Sequence, residues 1–140
     1  MPIPQTIPPN PTTEHLCSIA QRWGITYSLA VSLATMAGQL PFGIQIISGS
    51  RTKASQDELT RQGRPTAAWD RTTHADAEPD GCLRLATGAD LMPLVAAVPM
   101  VKAHLGTAAV FSGLRWGGGS SIDPETGIPS DWNHVDQGPR

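Results

Sequence analysis

Charge is sparse in this sequence. Only 16 % of the residues are charged, Lys and Arg together number 10, and the formal net charge is −2. With no basic run there is no electrostatic footprint for nucleic acid. An uninterrupted apolar run of membrane-spanning length is also missing. The most apolar stretch, residues 25–47, is broken by Gly38, Gln39, Pro41 and Gly43, so it reads as core and no membrane insertion is expected. The opening MPIPQTIPPNP holds neither Lys nor Arg and no apolar centre. It is not a secretory signal and reads as an extended, proline-stiffened arm over residues 1–11. Work outside the cytoplasm then needs another export route. Cysteine is scarce: Cys17 and Cys82 are the two, no CxxC occurs, and a four-cysteine zinc site is excluded. Two buried thiols are the expectation, and whether they pair is open.

What is abundant is Gly (14) and Pro (13) in a chain of 140 residues. That length suits one domain with a real core, and that composition predicts a loop-rich fold rather than long helices. Thr12 or Thr13 can cap a first helix that runs to Trp23 and stops at Gly24. Residues 25–37 place Leu29, Val31, Leu33 and Met36 at helical spacing, with Gly38 as the stop. Residues 44–47 are a short β-branched strand broken by Ser48, Gly49 and Ser50. Residues 54–62 read as a polar helix closed by Gly63, and 63–85 as a long loop. Residues 86–91 read as a strand end, and Pro99 opens a helix to about Leu105. A strand over 110–116, a Gly-rich turn and a last strand over 131–136 complete the chain. The expectation is a small α+β domain, mostly antiparallel, with two or three helices.

Four histidines are present. His15 and His104 fall on helices, where a solvated or capping role is expected. His74 and His134 differ, since each lies in loop or strand-end context beside carboxylates. The segments around them come in a distinctive order: ISGSRT (47–52), a helix with Gln56 and Leu59, TTH (72–74), TGADL (87–91), GLRWGG (113–118) and DWNH (131–134).

This series resembles the zinc peptidases of the lysostaphin, D-Ala-D-Ala carboxypeptidase and hedgehog superfamily. It is most similar to phage L-alanyl-D-glutamate endolysins and D-Ala-D-Ala carboxypeptidases. Their pattern is SGxRS, Q..L, SxHxxGxAxDL, a WGG turn and D/E-W-x-H. The likeness covers residues 44–135, about two thirds of the chain. Each motif alone is weak; their order is the specific signal.

The resemblance implies a zinc peptidase domain over 12–140 with a hedgehog-like fold. It implies His74, Asp90 and His134 as ligands of Zn2+, and Asp131 as the base that activates the attacking water and then protonates the leaving amine. Such roles suit the residues: two imidazoles and one carboxylate leave a zinc ion net positive, and a nearby carboxylate can take a proton. Arg51 matches the arginine beside the zinc and can hold a substrate carboxylate or an oxyanion. Thr72 stands where the family has a substrate-binding serine. Trp116 and Trp132 are candidate cleft walls, with core packing the equal alternative. Gln56 reads as scaffold for the Arg51 loop. On a regular strand, positions 131 and 134 face opposite ways, so a bend near Trp132 and Asn133 is required.

The chain departs from the pattern between His74 and Asp90, which lie sixteen positions apart where the family has seven. The interval reads as an insertion. A rival assignment makes Asp76 or Asp80 the third ligand; the match of Gly88, Ala89 and Leu91 favours Asp90. The run from Asp76 to Gly81 imitates the start of a calcium loop, but its twelfth position is Thr87 rather than Glu, so a solvated acidic loop is expected. Ser50 replaces a common tyrosine, and Asn133 a proline or aromatic.

The implied function is zinc-dependent cleavage of a peptidoglycan stem-peptide bond, L-Ala-D-Glu or D-Ala-D-Ala, by a phage or prophage endolysin. Its partners would be stem peptides and other virion proteins. It would stay in the host cytoplasm until released to the wall, or be virion-associated. The alternative is a non-catalytic virion, tail or wall-binding module that keeps the peptidase fold.

Overall fold

Three threonines open three helices. Thr12, Thr26 and Thr52 are extended, and their hydroxyls accept hydrogen bonds from the amides of His15, Leu29 and Ser55, meeting donors that a first helical turn leaves unpaired. A computed structural model describes residues 3–64, 69, 72–76 and 84–138. These caps start α1 (Thr13–Trp23), α2 (Tyr27–Gln39) and α3 (Lys53–Arg61). A fourth helix, α4 (Pro99–Phe111), has no side-chain cap and opens on its proline instead. The strands are β1 (Gln5–Thr6), β2 (Ile44–Ser48), β3 (Gly88–Pro93), β4 (Arg115–Trp116) and β5 (His134–Asp136). They form one antiparallel sheet in the order β1-β2-β3-β5-β4. The protein is therefore a small single α+β domain.

The two faces of the sheet are set by the period of two along a strand. Ile44, Ile46, Ala89, Leu91 and Val135 are fully buried and join Leu16, Ile19, Trp23, Leu29, Leu33, Met36, Leu105 and Ala109 in one core. That core lies between the sheet and α1, α2 and α4. The alternate positions, Asp90, His134 and Asp136, stand on the opposite face. The chain thus turns one face of its sheet to the apolar core and gathers ionisable side chains on the other.

Several expectations are corrected. The N-terminal arm is part of the fold: Gln5 and Thr6 pair with Ile46 and Gln45, and Ile7 is buried. Gly38 does not stop α2, which runs to Gln39; Pro41 ends it, because a residue before proline is driven out of the helical region and Leu40 is extended. The helix at Pro99 reaches Phe111, so Val110 is helical and the strand expected over 110–116 shrinks to Arg115–Trp116. Leu105, Ala108 and Ala109 bury at helical spacing, and that packing overrides the β preference of Val110. Among the described residues there are four α-helices, each at a segment read as helical, against the two or three expected for the whole domain. The strand expected over 131–136 begins only at His134, because residues 131–133 form a turn. Cys17 is exposed rather than buried, and free; Cys82 lies outside the described residues, as do Asp80 and most of the predicted insertion. Among the described residues no helix is long and apolar enough to cross a membrane.

Gly106 shows how tightly α4 meets the sheet edge. A Cβ there would run into the six-membered ring of Trp116, whose indole N–H donates to the Trp132 carbonyl at 2.6 Å. In an unconstrained helix, Gly→Ala gains roughly 1 kcal/mol. Here overpacking wins, and Gly106→Ala is expected to lower stability by about 1–3 kcal/mol in a denaturant titration. A stabilised variant would show that the contact is loose.

Candidate metal centre

The centre is a cross-strand pair with one addition. Asp90 on β3 lies directly opposite His134 on β5, and directly opposed residues share a face. His74 arrives from the segment 72–76, which the backbone fastens on two sides. Its carbonyl accepts from the Arg51 amide, and the Asp76 amide donates to the Arg51 carbonyl at 3.2 Å. The Thr73 carbonyl accepts from the amides of Thr87 and Gly88 at 2.9 and 3.1 Å, at the start of β3. Thr72 is buried, and its hydroxyl accepts from the His74 amide at 3.3 Å.

His74 Nε2 stands 3.1 Å from His134 Nδ1 and 3.4 Å from Asp90 Oδ1, and His134 Nδ1 stands 3.1 Å from Asp90 Oδ1. Ligands ~2.0–2.1 Å from a tetrahedral zinc lie roughly 3.3 Å apart, so the triangle has the size such an ion demands. The far nitrogens fix the chemistry. His74 Nδ1 is 2.6 Å from the Gly49 carbonyl, which can only accept, so Nδ1 carries the hydrogen. His134 Nε2 is 2.7 Å from Asp136 Oδ2, which leaves it as the donor. In the neutral rings, two lone pairs then face each other and a carboxylate oxygen. Three acceptors in contact need a cation among them. The buried group His74–Asp90–His134 can hold a metal ion.

Without a metal, a proton fills that need. Burial opposes charge on His134, but hydrogen bonds to Asp136 and Asp90 and their negative charges prevail, and its pKa is pushed up to about 9. Burial favours the neutral Asp90 carboxyl, yet bonds from His134 and His74 hold it well below the usual carboxylate range. Asp136 is likewise penalised by burial and brought down to about 2 by His134, Arg115 and the Gly138 amide.

Arg51 sits beside the triangle. Its Nη2 is 3.8 Å from Asp90 Oδ2, and its Nη1 donates at 2.8 Å to Gln56, which is buried on α3. Burial lowers the pKa of Arg51, and Asp90 works against that shift. Asp131 opens the turn that precedes β5. Its amide donates to Ser120 Oγ at 3.1 Å, and its carbonyl accepts from the His134 amide at 3.0 Å. This turn supplies the bend that lets positions 131 and 134 address one region. The carboxyl of Asp131 is raised by burial; His134 lowers it, Asp90 adds to the rise, and His74 and Arg51 exert smaller downward pulls.

The three ligand candidates therefore gather on one face of the sheet, with Arg51 in ion-pair range of Asp90 and Asp131, exposed on its turn, near enough to feel their charges. The substrate-wall candidates are placed differently. Trp116 packs against the core and α4, Trp132 lies under Lys102 Nζ at 4.8 Å, and the Thr72 hydroxyl supports His74 from behind. Asp76 contributes its backbone to the Arg51 tether and is not in the triangle. His15 and His104 are exposed on α1 and α4. Sequence reasoning missed Asp136 and Arg115. The alternation His134-Val135-Asp136, with its apolar centre, was the available signal.

Comparison with known proteins adds no identity: no protein-family model matches the chain, and no curated protein matches it.

The titration of His134 has a consequence for stability. A folded pKa of about 9 against 6.5 in the unfolded chain gives stability that is fully present below pH ~6.5 and is lost as pH rises through 9. Chelator-treated protein is expected to unfold at lower denaturant concentration at pH 9.5 than at pH 6. Equal midpoints would show that no proton is shared in the triangle.

Proposed function

We propose that this chain is a zinc-dependent peptidase that cleaves a peptidoglycan stem-peptide bond, as phage L-alanyl-D-glutamate endolysins and D-Ala-D-Ala carboxypeptidases do. The observation that carries the reading is the convergence of His74 Nε2, His134 Nδ1 and Asp90 Oδ1, three acceptors at ligand spacing whose sequence segments stand in the order of that superfamily. Two imidazoles and a carboxylate are a donor set of hydrolytic zinc, which leaves a fourth position for the reaction. A zinc ion so held supplies a Lewis acid and brings the pKa of water toward neutrality.

The rest falls to the protein's own side chains. A carboxylate oxygen of Asp131 takes the proton of the attacking water and returns it to the leaving amine. Its upward-shifted pKa moves it toward the range where a carboxylate serves as both base and acid. The Arg51 guanidinium, with one nitrogen steadied by Gln56, holds a negatively charged group, either a substrate carboxylate or the oxygen that gains charge during attack. Thr72 braces the His74 amide and the Trp116 indole braces the turn at Trp132, and all three stay candidates for shaping the substrate cleft.

The test is metal content by mass spectrometry together with turnover of muropeptides. About one zinc per chain is expected, lost in His134→Ala. Asp131→Asn is expected to keep the zinc and lose about 10²- to 10⁴-fold in turnover. A chain that takes up no zinc after loading would be a non-catalytic module with the same fold. Full turnover by Asp131→Asn would remove Asp131 from the mechanism.

A further inference from the structure

The side of His134 that faces away from Asp90 meets a polar site whose hydrogen bonds are all made. Asp136 is 0 % exposed, and all its acceptor capacity is used. Oδ1 accepts from Arg115 Nε at 2.9 Å and the Gly138 amide at 2.8 Å; Oδ2 accepts from Arg115 Nη2 at 2.9 Å and His134 Nε2 at 2.7 Å. The strand register explains the assembly, since Asp136 lies opposite Arg115 on β4 and Gly88 on β3. Asp136 and His134, two apart on β5, share a face.

The ring is also walled by backbone. A Cβ on Gly118 would stand 2.8 Å from His134 Cδ2, and one on Gly88 would stand 3.0 Å from Cε1. Gly118 has φ +58, so its conformation favours glycine as well. The imidazole lies between two glycines, with Asp136 at its far nitrogen.

We infer that Asp136 is a positioning residue, held by Arg115, that fixes His134 as the Nε2–H tautomer and thereby presents Nδ1 to the metal. A half-turn of the ring would exchange Nδ1 for carbon and break the bond to Asp136. A fully buried carboxylate is costly unless every lone pair is met, and the Arg115 fork makes the pair neutral at that depth. An orienting carboxylate also makes the ligating nitrogen more basic. His74 needs less support, because its far nitrogen has a carbonyl of the backbone itself. This assignment rests on the metal reading above and adds the residues that decide which nitrogen of His134 ligates.

The experiment compares native protein, Asp136→Asn and Arg115→Gln by zinc affinity, in competition with a chelating dye, and by ¹H–¹⁵N spectra of the histidine rings in the zinc-loaded state. The native protein is expected to show a downfield, slowly exchanging Nε2–H on His134. Asp136→Asn keeps the shape of the side chain but loses its charge; that resonance should move or vanish, with zinc binding about 10- to 100-fold weaker. Arg115→Gln changes a partly exposed side chain and leaves the carboxylate in place, so it tests the same link if the buried variant does not fold. A several-fold loss of affinity with a shifted Nε2–H is expected there. Native zinc affinity and an unchanged His134 spectrum in the folded variants would overturn the role of Asp136 alone. Native protein that binds no zinc would overturn the metal reading, and this assignment with it.

Discussion

The pairing of β3 with β5 is the constraint on which the structure depends. It places Ala89, Leu91 and Val135 in the core and, because side chains alternate, it must place Asp90, His134 and Asp136 together on the other side. A register slip of one residue would send these polar side chains into the apolar layer and expose Val135. The spacing of Asp90 and His134 and the packing of the core are thus the same choice of register. The polar face needs no separate energetic specification, since the apolar face fixes it.

His74 is the exception, because it does not come from the sheet. Its place is determined by backbone bonds to residue 51 and to the start of β3, and by the Gly49 carbonyl at its far nitrogen. Gly49 is itself pressed against the end of α1, where a Cβ would strike the Trp23 carbonyl. The C-terminus of α1, the break after β2 and the first ligand form one connected unit.

Much of this was legible in the sequence, for identifiable reasons. Thr12, Gly24 and the β-branched run at 44–47 carry strong local signals, and the elements they predict are there. The polar positions His74, Asp90 and His134 stood out by their company, and the fold brings them within ligand distance of one another. What sequence could not supply was tertiary. Val110 looks like strand but is drawn into α4 by the burial of Leu105, Ala108 and Ala109. The N-terminal prolines suggest an extended arm, but they give no sign that it pairs with β2 and that Ile7 takes a core position there. Asp136 and Arg115 carry no motif of their own; the alternation at 134–136 marks the face Asp136 shares with His134, but its partnership with Arg115 exists only once β4 and β5 are in register.

The walls of the histidine pocket, at Gly49, Gly88 and Gly118, are main chain rather than side chain. Ordering them is completed when the domain folds, on the strength of an apolar layer that does not touch the ion. A metal ion bound there would meet walls already set by the fold, in contrast to small domains in which metal uptake and folding are one event. Its entry and release would not require these main-chain walls to unfold.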